Sequence, residues 1–148
     1  MKHSRGLQPV ASIAKAHERN AARLMGEMLS QAEAQQLQME TLMNYRKDYI
    51  ENFSTASREG LSAIQMQDYQ VFINRLDTAI EQQKEQVKQS RQECEQSRDY
   101  WRSKYNHSEM IRKVLESRQQ QERQIKNSKE QKEADDRSAV AYVGNKCN

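Results

Sequence analysis

The sequence predicts an all-α protein: an antiparallel two-helix coiled-coil hairpin with a longer second helix. Three observations carry that expectation. Four glycines and one proline, Pro9, in 148 residues leave almost nothing from which to build hairpin turns or βαβ connections. Hydrophobic residues make up 35% and charged residues 30%, against about 45–50% apolar for a typical globular domain, so a compact enzyme-sized core is not expected. Finally, the apolar residues of the second half recur at alternating spacings of three and four, the mark of a heptad seam.

Residues 1–8 read as an N-terminal extension. A first helix is expected over 9–57, rich in Ala, Gln, Glu, Met, Leu and Arg and interrupted only by Gly26. Pro9 suits its first turn, where a missing N–H is tolerated. Periodicity fails between Ser54 and Gly60, and the glycine is a plausible left-handed stop. A turn over 58–62 follows. Ser62 with Gln65 can form a capping box, and Leu61 with Met66 stand at the positions of a hydrophobic staple, so a second helix begins at residue 63 and runs to 136.

Its seam is Met66, Tyr69, Ile73, Leu76, Ile80, Gln83, Val87, Ser90, Cys94, Ser97, Trp101, Lys104, Ser108, Ile111, Leu115, Arg118, Glu122 and Ile125. Folding back about 58–60 sets Ile50 near Tyr69, Met39 near Ile80 and Met25 near Cys94. The second helix then overhangs the first from about residue 110, leaving Ile111, Leu115 and Ile125 without a partner inside the chain. A flexible tail is expected over 137–148.

The first helix carries two adjacent stripes. One is Leu24, Met28, Gln31, Gln35, Gln38, Leu42, Tyr45 and Tyr49; the other is Met25, Leu29, Ala32, Gln36, Met39, Met43, Arg46, Ile50 and Phe53. The second is the more apolar and is the expected intramolecular seam. Gln38, Leu42, Tyr45 and Tyr49 are then left on a shoulder, opposite Phe72, Leu76, Ala79 and Gln83 on the matching flank of the second helix. Two helices offer nowhere to bury a second stripe, and tyrosine tolerates both water and an interface, so the shoulder reads as a partner site.

Chemistry-bearing patterns are missing. No Gly-x-x-x-x-Gly-Lys-Ser/Thr loop occurs, His3, His17 and His107 are too far apart for a helical metal pair, and no acid–base or nucleophile constellation is present. Neither an enzyme nor a cofactor or metal site is expected. Cys94 reads as a small buried hydrophobe and Cys147 as a tail thiol; their spacing suits a reducing cytosol. The N-terminus leads into no apolar run, so no signal peptide is expected. The longest apolar stretch, 139–143, cannot span the roughly 30 Å of a bilayer, so no direct membrane insertion is expected either.

Residues 21–28 (Ala-Ala-Arg-Leu-Met-Gly-Glu-Met), 43–49 (Met-Asn-Tyr-Arg-Lys-Asp-Tyr) and 69–80 (Tyr-Gln-Val-Phe-Ile-Asn-Arg-Leu-Asp-Thr-Ala-Ile), with the spacing over most of 10–135, resemble the flagellar export protein FliJ family. That resemblance implies a non-enzymatic coiled-coil part of the flagellar type III export ATPase complex. Family members look like a rotary-ATPase stalk, whose terminal end enters a hexameric ATPase ring. They face the membrane-embedded export gate near the turn and bind empty export chaperones. It implies a cytoplasmic protein held peripherally at the inner membrane, at the flagellar base. Carried over here, the gate-facing residues are Gln38, Leu42, Tyr45, Tyr49, Phe72, Leu76, Ala79 and Gln83.

Between Arg98 and Lys126 eight basic residues face four acidic ones. Among them Arg98, Arg102, Lys104, Arg112, Lys113 and Arg118 are the candidates for complementing acidic side chains of the ring. The net charge of +3 is too small to argue for nucleic acid. A nucleic-acid groove over 98–126 is disfavoured by the interspersed acids and the lack of exposed aromatics in a basic groove. The remaining alternative is a generic dimeric scaffold, two copies pairing along their overhangs.

Overall fold

The computed structural model describes residues 2–146. Two helices account for nearly all of them: α1, Lys2–Glu59, and α2, Ala63–Lys146, packed against each other as a hairpin, with no strand among the described residues. Cys147 lies outside the described residues, as does the side chain of His3.

The link between the helices is set by local chemistry. Gly60 has φ of 98°, a left-handed conformation that glycine adopts without a Cβ penalty, and its N–H donates to the Ser57 carbonyl at 3.3 Å. Two residues on, the capping box forms in both directions. The Ser62 N–H donates to Gln65 Oε1 at 3.0 Å and the Gln65 N–H donates to Ser62 Oγ at 3.2 Å, satisfying two donors that a helix start leaves unpaired.

Contacts divide the chain into a turn-side unit, residues 20–102, and a terminal unit, 2–19 with 103–146. In the turn-side unit the α2 seam follows its expected line from Tyr69 to Trp101, every position there being buried or half-buried, whereas Met66, its expected first member, is exposed. Met39, Ile80 and Val87 form its buried core, with Leu42 packed against them.

The α1 side differs from expectation. Its seam runs through Ala21, Met25, Met28, Ala32, Gln35, Met39, Leu42, Arg46, Tyr49 and Phe53, all buried or half-buried. Each of the two stripes supplies every seventh residue to this line. One gives Met28, Gln35, Leu42 and Tyr49, the other Met25, Ala32, Met39, Arg46 and Phe53. Neither stripe is the seam, because a two-helix interface follows a 3.5-residue period down the boundary between them. Polar cross-links hold the register. Gln83 Nε2 donates to both the carbonyl and the side-chain oxygen of Gln35, at 2.9 and 2.7 Å, and Arg46 pairs with Asp77.

The terminal unit corrects the expected boundaries at both ends. Residues 2–8 are helical, and Pro9 lies inside α1 instead of opening it. Packing against α2 offsets the backbone hydrogen bond that a proline removes. Ser4 is buried, its hydroxyl donating to Glu122 Oε2 at 2.7 Å and its N–H to Oε1 at 3.4 Å. α1 therefore covers α2 well past residue 110. Lys104, Ser108, Ile111 and Leu115 are buried or half-buried, and the fully exposed stretch begins after Glu122, with Ile125 65% exposed. The helix continues to Lys146, through the region expected to be a tail. The fully buried residues of this unit are small or polar, namely Ser4, Ala14, Glu18 and Ser108, and no buried side-chain N or O atom of the described residues lacks a partner.

Candidate functional site

The turn brings five aromatic rings together. Tyr45, Tyr49 and Phe53 follow one another at four-residue steps along α1, which places them on one face, and Tyr69 and Phe72 come from the opening turns of α2. Tyr49 is the hub: its ring centroid lies 4.4 Å from that of Phe72, 5.2 Å from Tyr69 and 6.5 Å from Tyr45. Tyr45 meets Phe72 edge-on at 6.1 Å, and Phe53 meets Tyr69 at 5.1 Å. These are favourable tilted and edge-to-face geometries. Desolvation raises the Tyr49 phenol above its ordinary pKa, with the neighbouring Tyr69, Tyr45 and Asp68 acting in the same direction.

The cluster is only partly hidden. Tyr45 is 52% exposed, Gln38 is exposed, and Leu42, Tyr49, Phe72 and Ala79 are half-buried. Leu76 and Gln83, which the sequence places both in the α2 seam and on the shoulder, take the seam position. They are 7% and 6% exposed, Leu76 in the seam and Gln83 bonded to Gln35. The α2 seam and the flank row of Phe72 and Ala79 share these two positions, and the two-helix interface claims them. Phe53 and Tyr69 complete the ring cluster. Their four-residue relation to Tyr49 and the fold-back register were the signals that link them to it.

The basic segment divides between the units. Arg98 and Arg102, in the turn-side unit, are exposed and make no hydrogen bond or ion pair among the described residues. In the terminal unit Lys104 is half-buried on the seam. Arg112 is taken up internally, its guanidinium donating to Glu109 Oε2 at 2.8 Å and Glu116 Oε1 at 2.6 Å. That pairing raises the Arg112 pKa and holds the Glu109 carboxyl below the usual carboxylate range. Lys113 and Arg118 are exposed. The arrangement offers charge and apolar surface to a macromolecule. Among the described residues no group of three or more His, Cys, Asp or Glu could hold a metal ion, and no helix is long and apolar enough to cross a membrane.

Comparison with known proteins gives a family match over nearly the whole chain. The model of the family described as "Flagellar FliJ protein" matches residues 3–146. A flagellar FliJ protein of Salmonella typhi is 32% identical over 98 residues, 66% of this chain and 67% of its own length. One from Escherichia coli (strain K12) is 30% identical over 98 residues, again 66% of this chain and 67% of its own length.

Proposed function

The chain belongs to the flagellar FliJ family, and on that premise we propose that it is a non-enzymatic stalk of the cytoplasmic export ATPase complex at the flagellar base. In this reading the terminal unit enters a hexameric ATPase ring and the turn-side aromatic cluster docks on the export gate. The same protein escorts empty export chaperones and associates peripherally with the inner membrane through its partners.

The observation that supports the gate contact is the half-exposed Tyr45 ring standing on Phe72, on a hairpin with no third helix among the described residues to cover it. Tyrosine and phenylalanine in such a setting add apolar contact area at small entropic expense when a partner seats on them. Tyr45, Phe72, Gln38 and Ala79 form the contact surface, with Leu42 and Tyr49 below. Leu76 and Gln83 support it from the seam. For the ring, Lys113 and Arg118 are the available charges of the terminal unit, while Arg98 and Arg102 belong to the turn-side unit. Arg112 is already satisfied within α2, and Lys104 is half-buried on the seam.

Titration of the purified gate cytoplasmic domain and of the export ATPase against native protein, Tyr45→Ala and Arg118→Glu tests both contacts. The gate affinity should fall at least tenfold with Tyr45→Ala alone, and ATPase binding should fall with Arg118→Glu alone. Unchanged affinities in either arm reject that contact.

A further inference from the structure

The turn-side unit has a second open flank, and it is unlike the aromatic one. Met43 and Tyr45 are two residues apart on α1, so their side chains diverge by roughly 160° about the helix. On the Met43 side an open hollow of about 430 Å³ lies between the helices. Met39, Met43 and Val87 line its floor, and Met43 is 50% exposed. Lys84, Lys88 and Arg91 line its α2 edge.

The charges there are poorly neutralised. Glu95 is the one carboxylate lining the hollow, against three cations. Lys84 pairs with Glu81 at 3.0 Å, but with both side chains largely in water that pair is weak and easily exchanged. Lys88 is exposed and makes no hydrogen bond or ion pair among the described residues. Arg91 donates to the neutral Gln36 Oε1 at 3.0 Å, keeping its full charge. The three cations follow steps of four and three along α2 and so cover about 10 Å, two helical turns.

We propose that this flank is a second docking surface, distinct from the aromatic cluster, which receives an acidic amphipathic helix of another protein. The chemistry selects that occupant. A helix laid along the hollow presents apolar side chains to the half-exposed, flexible thioether of Met43, with buried Met39 and Val87 behind it, methionine being the side chain most used where helical partners of varied shape must be accommodated. Its carboxylates, at matching three- and four-residue steps, meet Lys84, Lys88 and Arg91. The result is a local three-helix bundle, which covers the apolar surface two helices leave open.

The test uses the full-length chain and a 21-residue helical peptide with Leu at heptad positions a and d and Glu at e and g. Two control peptides replace Glu by Lys or Leu by Ser. Saturable binding of the Glu peptide is expected, weakened at least tenfold by Lys84→Glu with Lys88→Glu, weakened by the single exposed change Met43→Gln, and unaffected by Tyr45→Ala. Circular dichroism checks that each variant remains helical, and Lys88→Ala provides a milder charge change should the double variant unfold. No saturable binding, equal binding of the Lys peptide, or insensitivity to the Lys84 and Lys88 changes overturns the proposal. Equal binding of the Leu-to-Ser peptide also overturns it, reducing the flank to a general anion surface. So does sedimentation showing that Lys88→Ala dissolves a dimer of this chain, which makes a second copy the occupant.

Discussion

Replacing Tyr45 and Leu76 separately by alanine separates a surface that waits for a partner from one that holds the hairpin together. Leu76 is 7% exposed and sits in the α2 seam. Its truncation removes nearly a whole buried side chain and leaves a gap the facing helix fills only in part, a loss of about 2–4 kcal/mol. Tyr45 is 52% exposed. Its truncation forfeits about half of a side chain's burial and the edge-on contact with Phe72, together about 1–2 kcal/mol, while alanine regains about 0.5 kcal/mol of helix propensity. The net loss is about 1 kcal/mol. With a melting shift of about 2–4 °C per kcal/mol for a chain of this size, Leu76→Ala should melt about 5–15 °C below the native protein and Tyr45→Ala within about 4 °C of it. Helicity at 222 nm followed through a thermal ramp reads both, and gate binding is measured on the same samples below the transition. If Tyr45→Ala melts as low as Leu76→Ala, the ring is core and the docking argument fails. If it melts near native yet binds the gate undiminished, the surface is free but serves something else.

Gln83→Ala strands the polar groups of Gln35 and should destabilise by about 1–2 kcal/mol in urea unfolding. Joint Gln35→Leu and Gln83→Leu should restore or raise stability while admitting other registers, visible as added species in sedimentation. Gly60→Ala places a Cβ at a positive φ with nothing within 4 Å to clash, so its penalty, about 1 kcal/mol, comes from the backbone alone. The Glu122 carboxyl is held below its ordinary pKa chiefly by the Ser4 hydroxyl. A depressed carboxylate contributes stability above its unfolded pKa and loses it as pH falls through the folded value. Carbon-detected titration should therefore find Glu122 moving back up toward the usual carboxylate range in Ser4→Ala, with a shallower loss of stability on acidification.

Helix type, the place of the turn and the α2 seam were legible because each rests on interactions only a few residues long. Gly60 and the Ser62–Gln65 box end one helix and start the next whatever lies opposite, and the three-four spacing from Tyr69 to Leu115 has a single apolar line to follow. α1 lacks that clarity. Its two stripes lie only about 100° apart and are both partly apolar, so local pattern cannot choose between them. Docking resolves the choice by taking the boundary line, where Gln35 meets Gln83 and Arg46 meets Asp77. It sends Tyr45 to one flank and Met43 to the other. Residues 2–8 show the same limit. Nothing in their composition or in Pro9 announces a helix, and it is the long-range bond from Ser4 to Glu122 that accompanies the extension of α1 back to Lys2. Contacts between residues 118 positions apart leave no trace in periodicity, which is why the paired length of α2 emerged only with both helices in place.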